Sequence, residues 1–484
     1  MFKRITCYFL ILAEFIAATV LFGCAEDARR TQYEIICEFD GQSVFGTEKV
    51  IFYNDTDNAF SELKFNLFGN AFRKGAAFSP ISAQYYYSAY KWGESYGDME
   101  ITEVAVNGEK AEFTVAGEDM NILSVTPANE IFPNETVTAE ISFKTNLAKV
   151  VARTGINADT VNLANFYPVL CGIENGAFYE CVYYANGDPF YSNPADYTVN
   201  FTCAEKYVVA SSGQTISETR SDGKITYNYN IYAARSFALV LSEKFNVKTA
   251  SCGDTEIKYY YFADEKPDES LATAVEALKF FSEKWGDYPY KTYSVVETPF
   301  TQGGMEFSAL TFIGTGLEDK AYKEVIIHET AHMWWQTVVG DNEIKHAFID
   351  EGLAEYSVVL FYENHPDYGY TRENLIKSAE QTYKIYCSVY GKIAGKVDTS
   401  MTRALPEYSS EYEYVNIAYV KSCIMFDYLR QTVGDAKFFA GLQRFYDENA
   451  FKTATPESLI GAFERAGANA NGFFESFYDG KAII

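Results

Sequence analysis

Val325-Ile326-Ile327-His328-Glu329-Thr330-Ala331-His332-Met333-Trp334-Trp335 is the stretch from which the rest of this chain can be read. Its centre is H-E-x-x-H. On a helix, side chains four apart share a face, so His328 and His332 can turn two imidazole nitrogens toward one metal ion. Imidazole suits Zn²⁺, which takes nitrogen and oxygen ligands at about 2.0–2.2 Å. Glu329 is turned partly aside, placed to take a proton from a zinc-activated water without ligating the metal. The bland alternative is coincidence on a buried helix. Only four histidines exist, His328, His332, His346 and His365. Two of them at this spacing around a glutamate weigh against chance.

A catalytic zinc holds three protein ligands and keeps one position open. The third is sought in Ile349-Asp350-Glu351-Gly352-Leu353-Ala354-Glu355. The loop after His332 lets a second helix run back past the first. Glu351 is the best candidate carboxylate, and Glu355, one turn later, is its rival. His346 reads as a surface or packing histidine. Two neutral imidazoles and one carboxylate leave the site net positive, so that bound water is acidified to a pKa of about 7. Peptide hydrolysis also passes through an oxyanion, to which a phenol can donate. Composition does not choose among Tyr412, Tyr414 and Tyr419.

The chain has 484 residues, enough for two or three domains with sizeable cores. A hydrophobic fraction of 48% and an aromatic fraction of 17% describe a globular protein. The net charge of −26 argues against nucleic acid as partner. Lys3 and Arg4 precede an apolar stretch from Ile5 to Phe22, which ends Leu21-Phe22-Gly23-Cys24. This pattern resembles a bacterial lipobox. It predicts a signal peptide over residues 1–23, a lipidated Cys24, and an exported protein at the cell surface or in the periplasm, anchored to a membrane by lipid. A plain signal peptide and an uncleaved anchor are the rivals. Nine cysteines include no C-x-x-C pair, so a second zinc site or redox motif is unsupported. Cys171 and Cys181 are close enough for a small disulfide loop; buried thiols are the preferred reading.

From about Thr31 to Asn246 the text is strand-like. Val137–Lys144 alternates apolar and polar residues strictly, the mark of a half-buried strand. Asn107-Gly108 between two such runs signals a type I′ hairpin. Further strands are expected at Tyr33–Phe39, Lys49–Tyr53, Tyr197–Phe201 and Ile225–Ile231, and a loop from Ser79 to Tyr96. One large antiparallel β domain over residues 24–247 follows. The pattern then changes. A strand near Ile257–Phe262 leads into a helix opened by Pro267-Asp268-Glu269. Strands at Tyr293–Glu297 and Ala309–Ile313 flank Gly303-Gly304. The H-E-x-x-H helix is expected over Tyr322–Val338, and another from Asp350. Helices at Val420–Thr432, Ala436–Asp447, Pro456–Ala466 and Gly472–Tyr478 complete a second domain, residues 248–484. The fold class is α+β.

Four motifs together resemble the aminopeptidase N-like zinc metallopeptidases, gluzincins of the clan containing thermolysin. The first is H-E-x-x-H, eighteen residues, then Glu351. The second is Asp350-Glu351-Gly352-Leu353-Ala354, similar to the family's N-E-G-F-A. The third is Gly303-Gly304-Met305-Glu306-Phe307, similar to G-x-M-E-N. The fourth is Tyr419-Val420-Lys421-Ser422, similar to Y-x-K-G. The resemblance implies a saddle-like β domain on a thermolysin-like, mainly helical zinc metallopeptidase domain. It ranks Glu351 over Glu355 as third ligand of one zinc per chain, makes Tyr419 the phenol that donates to the oxyanion, and implies removal of N-terminal residues from peptides. Gly303, Gly304, Met305 and Glu306 are then expected to bind substrate. The glycines would let peptide approach the edge strand Ala309–Ile313, and Glu306 would pair with the free α-ammonium. Phe307 and Ser422 depart from the motifs. Larger members continue into a helical-repeat domain beyond the point where this sequence stops, so a more open cleft is expected. An endopeptidase with the same zinc site and a non-catalytic surface binding protein on this fold are the alternatives.

Overall fold

The computed structural model describes residues 29–484, so the signal segment and Cys24 lie outside the described residues. The first half of the chain is β-rich. Its largest sheet has eight strands, in the order Gln214–Ser221, Lys224–Ala234, Ala195–Ala204, Thr31–Phe39, Ser43–Tyr53, Thr136–Asn146, Asp98–Val106 and Glu109–Lys110. Alternation does the work that the sequence promised. Along Thr136–Asn146 every second side chain is buried, and Val137, Ala139, Ile141 and Phe143 enter the core. The hairpin at Asn107-Gly108 takes positive φ at both residues, 53° and 80°, as a type I′ turn requires. Pairing within this sheet is antiparallel except between Thr31–Phe39 and Ala195–Ala204, which run parallel. Parallel neighbours need a long crossover, and the two strands lie far apart in sequence. Two four-stranded sheets and a two-stranded ribbon, Ile173–Glu174 with Ala177–Phe178, complete this half. The Ser79–Tyr96 segment is a loop interrupted by one short helix, Tyr86–Ala89.

The sheet changes between Ser242 and Asn246. A five-stranded sheet follows, ordered Asn246–Cys252, Thr255–Tyr261, Thr292–Thr298, Leu310–Gly314, Gly304–Phe307. The edge strand is therefore Gly304–Phe307 itself, and Leu310–Gly314 is internal, contrary to the expected edge at Ala309–Ile313. A tight hairpin with Ala309 at φ 58° folds the short strand antiparallel onto the outside of its neighbour.

Helices α1 (Pro267–Trp285), α2 (Asp319–Ala331), α3 (Asp350–Asn364), α4 (Arg372–Ala394) and α5 (Ser422–Val433) build most of the rest. In α1, Leu271, Ala274, Leu278 and Phe281 face inward, as their spacing predicts. Helix α2 ends at Ala331, seven residues short of the expected Val338. The chain leaves helical geometry at Trp335 and Gln336. Both tryptophans after His332 are buried and satisfied. Trp334 Nε1 donates to the Gly286 carbonyl at 2.8 Å and Trp335 Nε1 to Ser357 Oγ at 3.0 Å. Large rings anchored this way contribute roughly 4–6 kcal/mol of burial each before entropy is counted, which outweighs the lost helical turn. Helix α4 was not marked in the sequence pattern. Only Ile376, Tyr383 and Tyr386 of it are fully buried, a stripe too thin to read.

The halves share one core and are tied by buried polar contacts. Tyr290 donates to the Ala233 carbonyl at 3.0 Å, Ser294 Oγ to Ser211 O at 2.9 Å, and Arg235 Nη2 to Lys452 O at 2.6 Å. Among the described residues no helix is long and apolar enough to cross a membrane. All seven described cysteines are free thiols, Cys171 and Cys181 included.

Candidate active site

Helix α2 presents His328, Glu329 and His332, and α3 brings Glu351 against them. The Nε2 atoms of His328 and His332 stand 3.0 Å apart. Glu351 Oε2 lies 3.3 Å from the first and 3.2 Å from the second. These three donor atoms face one point. Their tautomers suit ligation. His332 Nδ1–H donates to the Trp335 carbonyl at 3.0 Å, which leaves the Nε2 lone pair free. The break after α2 is what supplies that carbonyl. On the other ring, Glu355 Oε1 stands 3.6 Å from His328 Nδ1, so Glu355 backs a histidine and does not join the trio. Burial disfavours charge on Glu351, but its contact with the His328 and His332 rings holds its carboxyl low, at about 2. Glu351 Oε2 has no partner outside the trio. Two imidazoles and an ionised, buried carboxylate aimed at one point fit a zinc ion.

The close approach of α3 has a local cause. A Cβ on Gly352 would stand 2.4 Å from Ser422 Cβ, so two small residues let α3 and α5 meet. Just before α5, a wide π-type turn over Val415–Lys421 aims Tyr419 inward. Its hydroxyl donates to Glu351 Oε1, and its ring stacks on His328 at 6.0 Å. Burial, then the Glu351 charge, raises the Tyr419 pKa well above the ordinary phenol value, so it keeps the proton it would donate. Tyr414 also lines the cleft, with a buried, unpartnered hydroxyl. Tyr412 is 45% exposed and packs against Tyr386 and Tyr390 outside it. His346 is half-buried and belongs to none of the candidate metal-holding groups.

The edge strand forms the opposite wall. A cleft of about 250 Å³ is lined by Gly304, Glu306, His328, Glu329, Glu351 and Tyr419, among others. The strand backbone and Glu329 are in near contact: a Cβ on Gly304 would stand 2.1 Å from Glu329 Oε1. Gly303 has φ 93°, a conformation that favours glycine. Glu329 is buried and its Oε2 has no partner. Burial, then the Glu306 charge, pushes its carboxyl well above the ordinary range. Burial and neighbouring Asp188 push Glu306 up to about 8.

Two cleft residues escaped the sequence reading. Arg153 and Asp188, both from the β half, form a buried ion pair here. Arg153 Nη2 also donates to the Gly187 carbonyl at 3.1 Å, and Arg153 Nε reaches Met305 Sδ at 3.0 Å. Arg153 thus fastens the edge strand to the β half. Asp188 lies in the run Gly187-Asp188-Pro189-Phe190-Tyr191, which reads as a turn and carries no mark of the cleft. Glu411, near the cleft mouth, carried none.

The chain thus combines a β-rich half, a short mixed sheet and a His-His-Glu trio between two helices. Residues 269–477 match the peptidase family M1 domain. An M1 zinc metallopeptidase from Deinococcus radiodurans shares the fold, with a TM-score of 0.66, at 16% identity over 94% of this chain and 96% of that one. A variant of an M1 zinc metallopeptidase from the same organism, bound to a Tyr-Ser-Ala substrate, gives a TM-score of 0.64. Leucine aminopeptidase 2 of Yarrowia lipolytica is 24% identical over 275 residues, 53% of this chain and 40% of that protein. Leukotriene A-4 hydrolase of Xenopus laevis is 26% identical over 194 residues, 39% of this chain and 31% of its own. The chain thus spans about a third to two fifths of the curated relatives it matches.

Proposed function

We propose that this chain is an exported zinc metalloaminopeptidase that hydrolyses N-terminal residues from peptides. The observation that carries the reading is the meeting, in one cleft, of the His328–His332–Glu351 trio with Glu329 on one side and Glu306 on the other. One zinc per chain, held by that trio, would polarise the scissile carbonyl and acidify the attacking water. The remaining work falls to the chain's own groups. Glu329 Oε2, which has no partner, takes the proton from the water and returns it to the leaving nitrogen. Tyr419 exchanges its acceptor Glu351 Oε1 for the developing oxyanion and donates there. Glu306 pairs with the substrate α-ammonium, whose charge favours the ionised carboxylate that burial resists. That pairing sets the first peptide bond beside Glu329 and leaves no room for residues further upstream. The edge strand Gly304–Phe307 offers main-chain partners to an extended peptide.

The aminopeptidase names among the relatives support the exopeptidase reading, and the Tyr-Ser-Ala complex supports a peptide as substrate. The Ile5–Cys24 sequence supports export with lipid attachment at Cys24. Chelation followed by re-addition of metal tests the core of the reading. Amino acid release from a short free peptide should stop with chelator and return with one equivalent of zinc per chain. Release that continues in chelator would overturn it. Because the domain has a large core of its own, the apo protein should stay folded. Mass spectrometry of the mature N-terminus decides the lipid: an acylated Cys24 is expected, and an unmodified terminus elsewhere would refute the anchor.

A further inference from the structure

Behind the zinc trio lies a second group of carboxylates that the proposed reaction does not use as a set. Glu306, Glu343 and Asp350 each place one oxygen within 4.8 Å of the others. A single ion at the usual Ca²⁺–oxygen length of about 2.3–2.6 Å can touch all three. Their exposures are 4%, 5% and 2%, and Asp341 beside them is 4% exposed. Burying one carboxylate without a partner is costly, and burying four together is more so.

Their partners do not meet that cost. Glu343 Oε1 accepts from Gln336 Nε2 at 3.0 Å. Glu306 Oε1, Asp350 Oδ1 and both Asp341 oxygens have no hydrogen-bond partner. Arg235 faces Asp341 and Glu343, but its Nη donors go to the carbonyls of Ser192 and Lys452 and it pairs with neither acid. Asp350 opens α3, where the helix N-terminus offsets part of one charge. Glu306, Asp341, Glu343 and Gln336 also line a cavity of about 30 Å³, room for one or two waters. The donors are all oxygen, which selects a hard cation over a second zinc.

We propose that Glu306, Glu343 and Asp350 form a second metal site, with Asp341 on the wall of the adjoining cavity, which takes a hard divalent cation such as Ca²⁺ and completes its shell with water from this cavity. Glu306 lines both the small cavity and the cleft. An ion on its inner oxygen leaves the outer one facing substrate. The site does not rest on the peptidase reading, because its existence is read from bound metal and not from turnover.

The full mature chain, stripped of metal and restored with one equivalent of zinc, would be dialysed against Ca²⁺, Mg²⁺ or Mn²⁺ in separate arms. Elemental analysis should find one divalent ion per chain beyond zinc in at least the Ca²⁺ arm. The unfolding midpoint should rise with that ion's concentration. Asp341→Asn/Glu343→Gln should keep zinc and lose both the second ion and the concentration response. No additional ion in any arm would overturn the proposal and leave shared protons as the neutralising charge. Equal retention by the double variant would also overturn it, by placing the ion elsewhere. If the double variant does not fold, the wild-type stoichiometry still decides whether an ion binds, and Glu343→Gln alone decides where.

Discussion

At the scale of single residues, the proposed mechanism gives Glu329 and Tyr419 separable duties. Glu329→Gln should lower turnover by about 10²–10⁴ while zinc content stays at one per chain, since it removes the base and no ligand. Zinc lost in parallel with activity would assign Glu329 to the structure of the site. Tyr419→Phe should reduce kcat by roughly 10²–10³ with little change in KM, the signature of a donor used in the transition state. Tyr414 lines the same cleft, so Tyr414→Phe is the control. A larger kcat loss there would transfer the role. The trio was legible in sequence because its members lie on two helices close in sequence and their spacing encodes the geometry. Arg153 and Asp188 were not. They reach the cleft through the packing of the β half on the edge strand, and no local pattern records which loop tertiary structure brings in. Nothing in the sequence pattern marks Asp341 and Glu343 as buried, since tertiary packing beside Arg235 decides it.

At the scale of elements, the contact between Gly352 on α3 and Ser422 on α5 sets the position of Glu351. Gly352→Ala forces two helices apart and should cost about 1–3 kcal/mol, as overpacking does, with weaker zinc retention. Ser422→Gly in the same chain should recover part of the loss, because the clash is between those two positions. Thermal unfolding and zinc content of both variants measure this. A Gly352→Ala protein as stable as wild type would remove the steric account. This contact also gives a physical reason for small residues in both the D-E-G-L-A and Y-x-K-S motifs. Element type was readable wherever one face is buried in a regular period. The reading failed where tertiary demands override the period. Helix α2 gives up its last turn to seat Trp334 and Trp335, the edge strand is too short to show alternation, and α4 buries too few residues to show a stripe.

At the scale of the whole molecule, acidity is both surface and interior. Glu48, in the strand Ser43–Tyr53, is 1% exposed, and neither carboxyl oxygen has a partner. Burial holds its pKa well above the ordinary value. The folded state therefore binds this proton more tightly than the unfolded chain does. Its stabilising effect is complete below the unfolded pKa of about 4.3 and is lost as pH rises through the folded value. Glu48→Gln should then be more stable than wild type at high pH, with the gap closing as pH falls toward 4. A gap that does not change with pH would contradict this. The central claim concerns the whole cleft, with zinc trio, base and amine anchor acting on one substrate. Its most direct test is the ratio of kcat/KM for a peptide with a free N-terminus to that of its N-acetylated twin, in the zinc-loaded wild type and in Glu306→Ala. A charge-assisted contact of about 1.5–3 kcal/mol predicts a wild-type preference of roughly 10- to 150-fold for the free form, most of it erased by Glu306→Ala. Equal cleavage of the two peptides by the wild type would contradict the account.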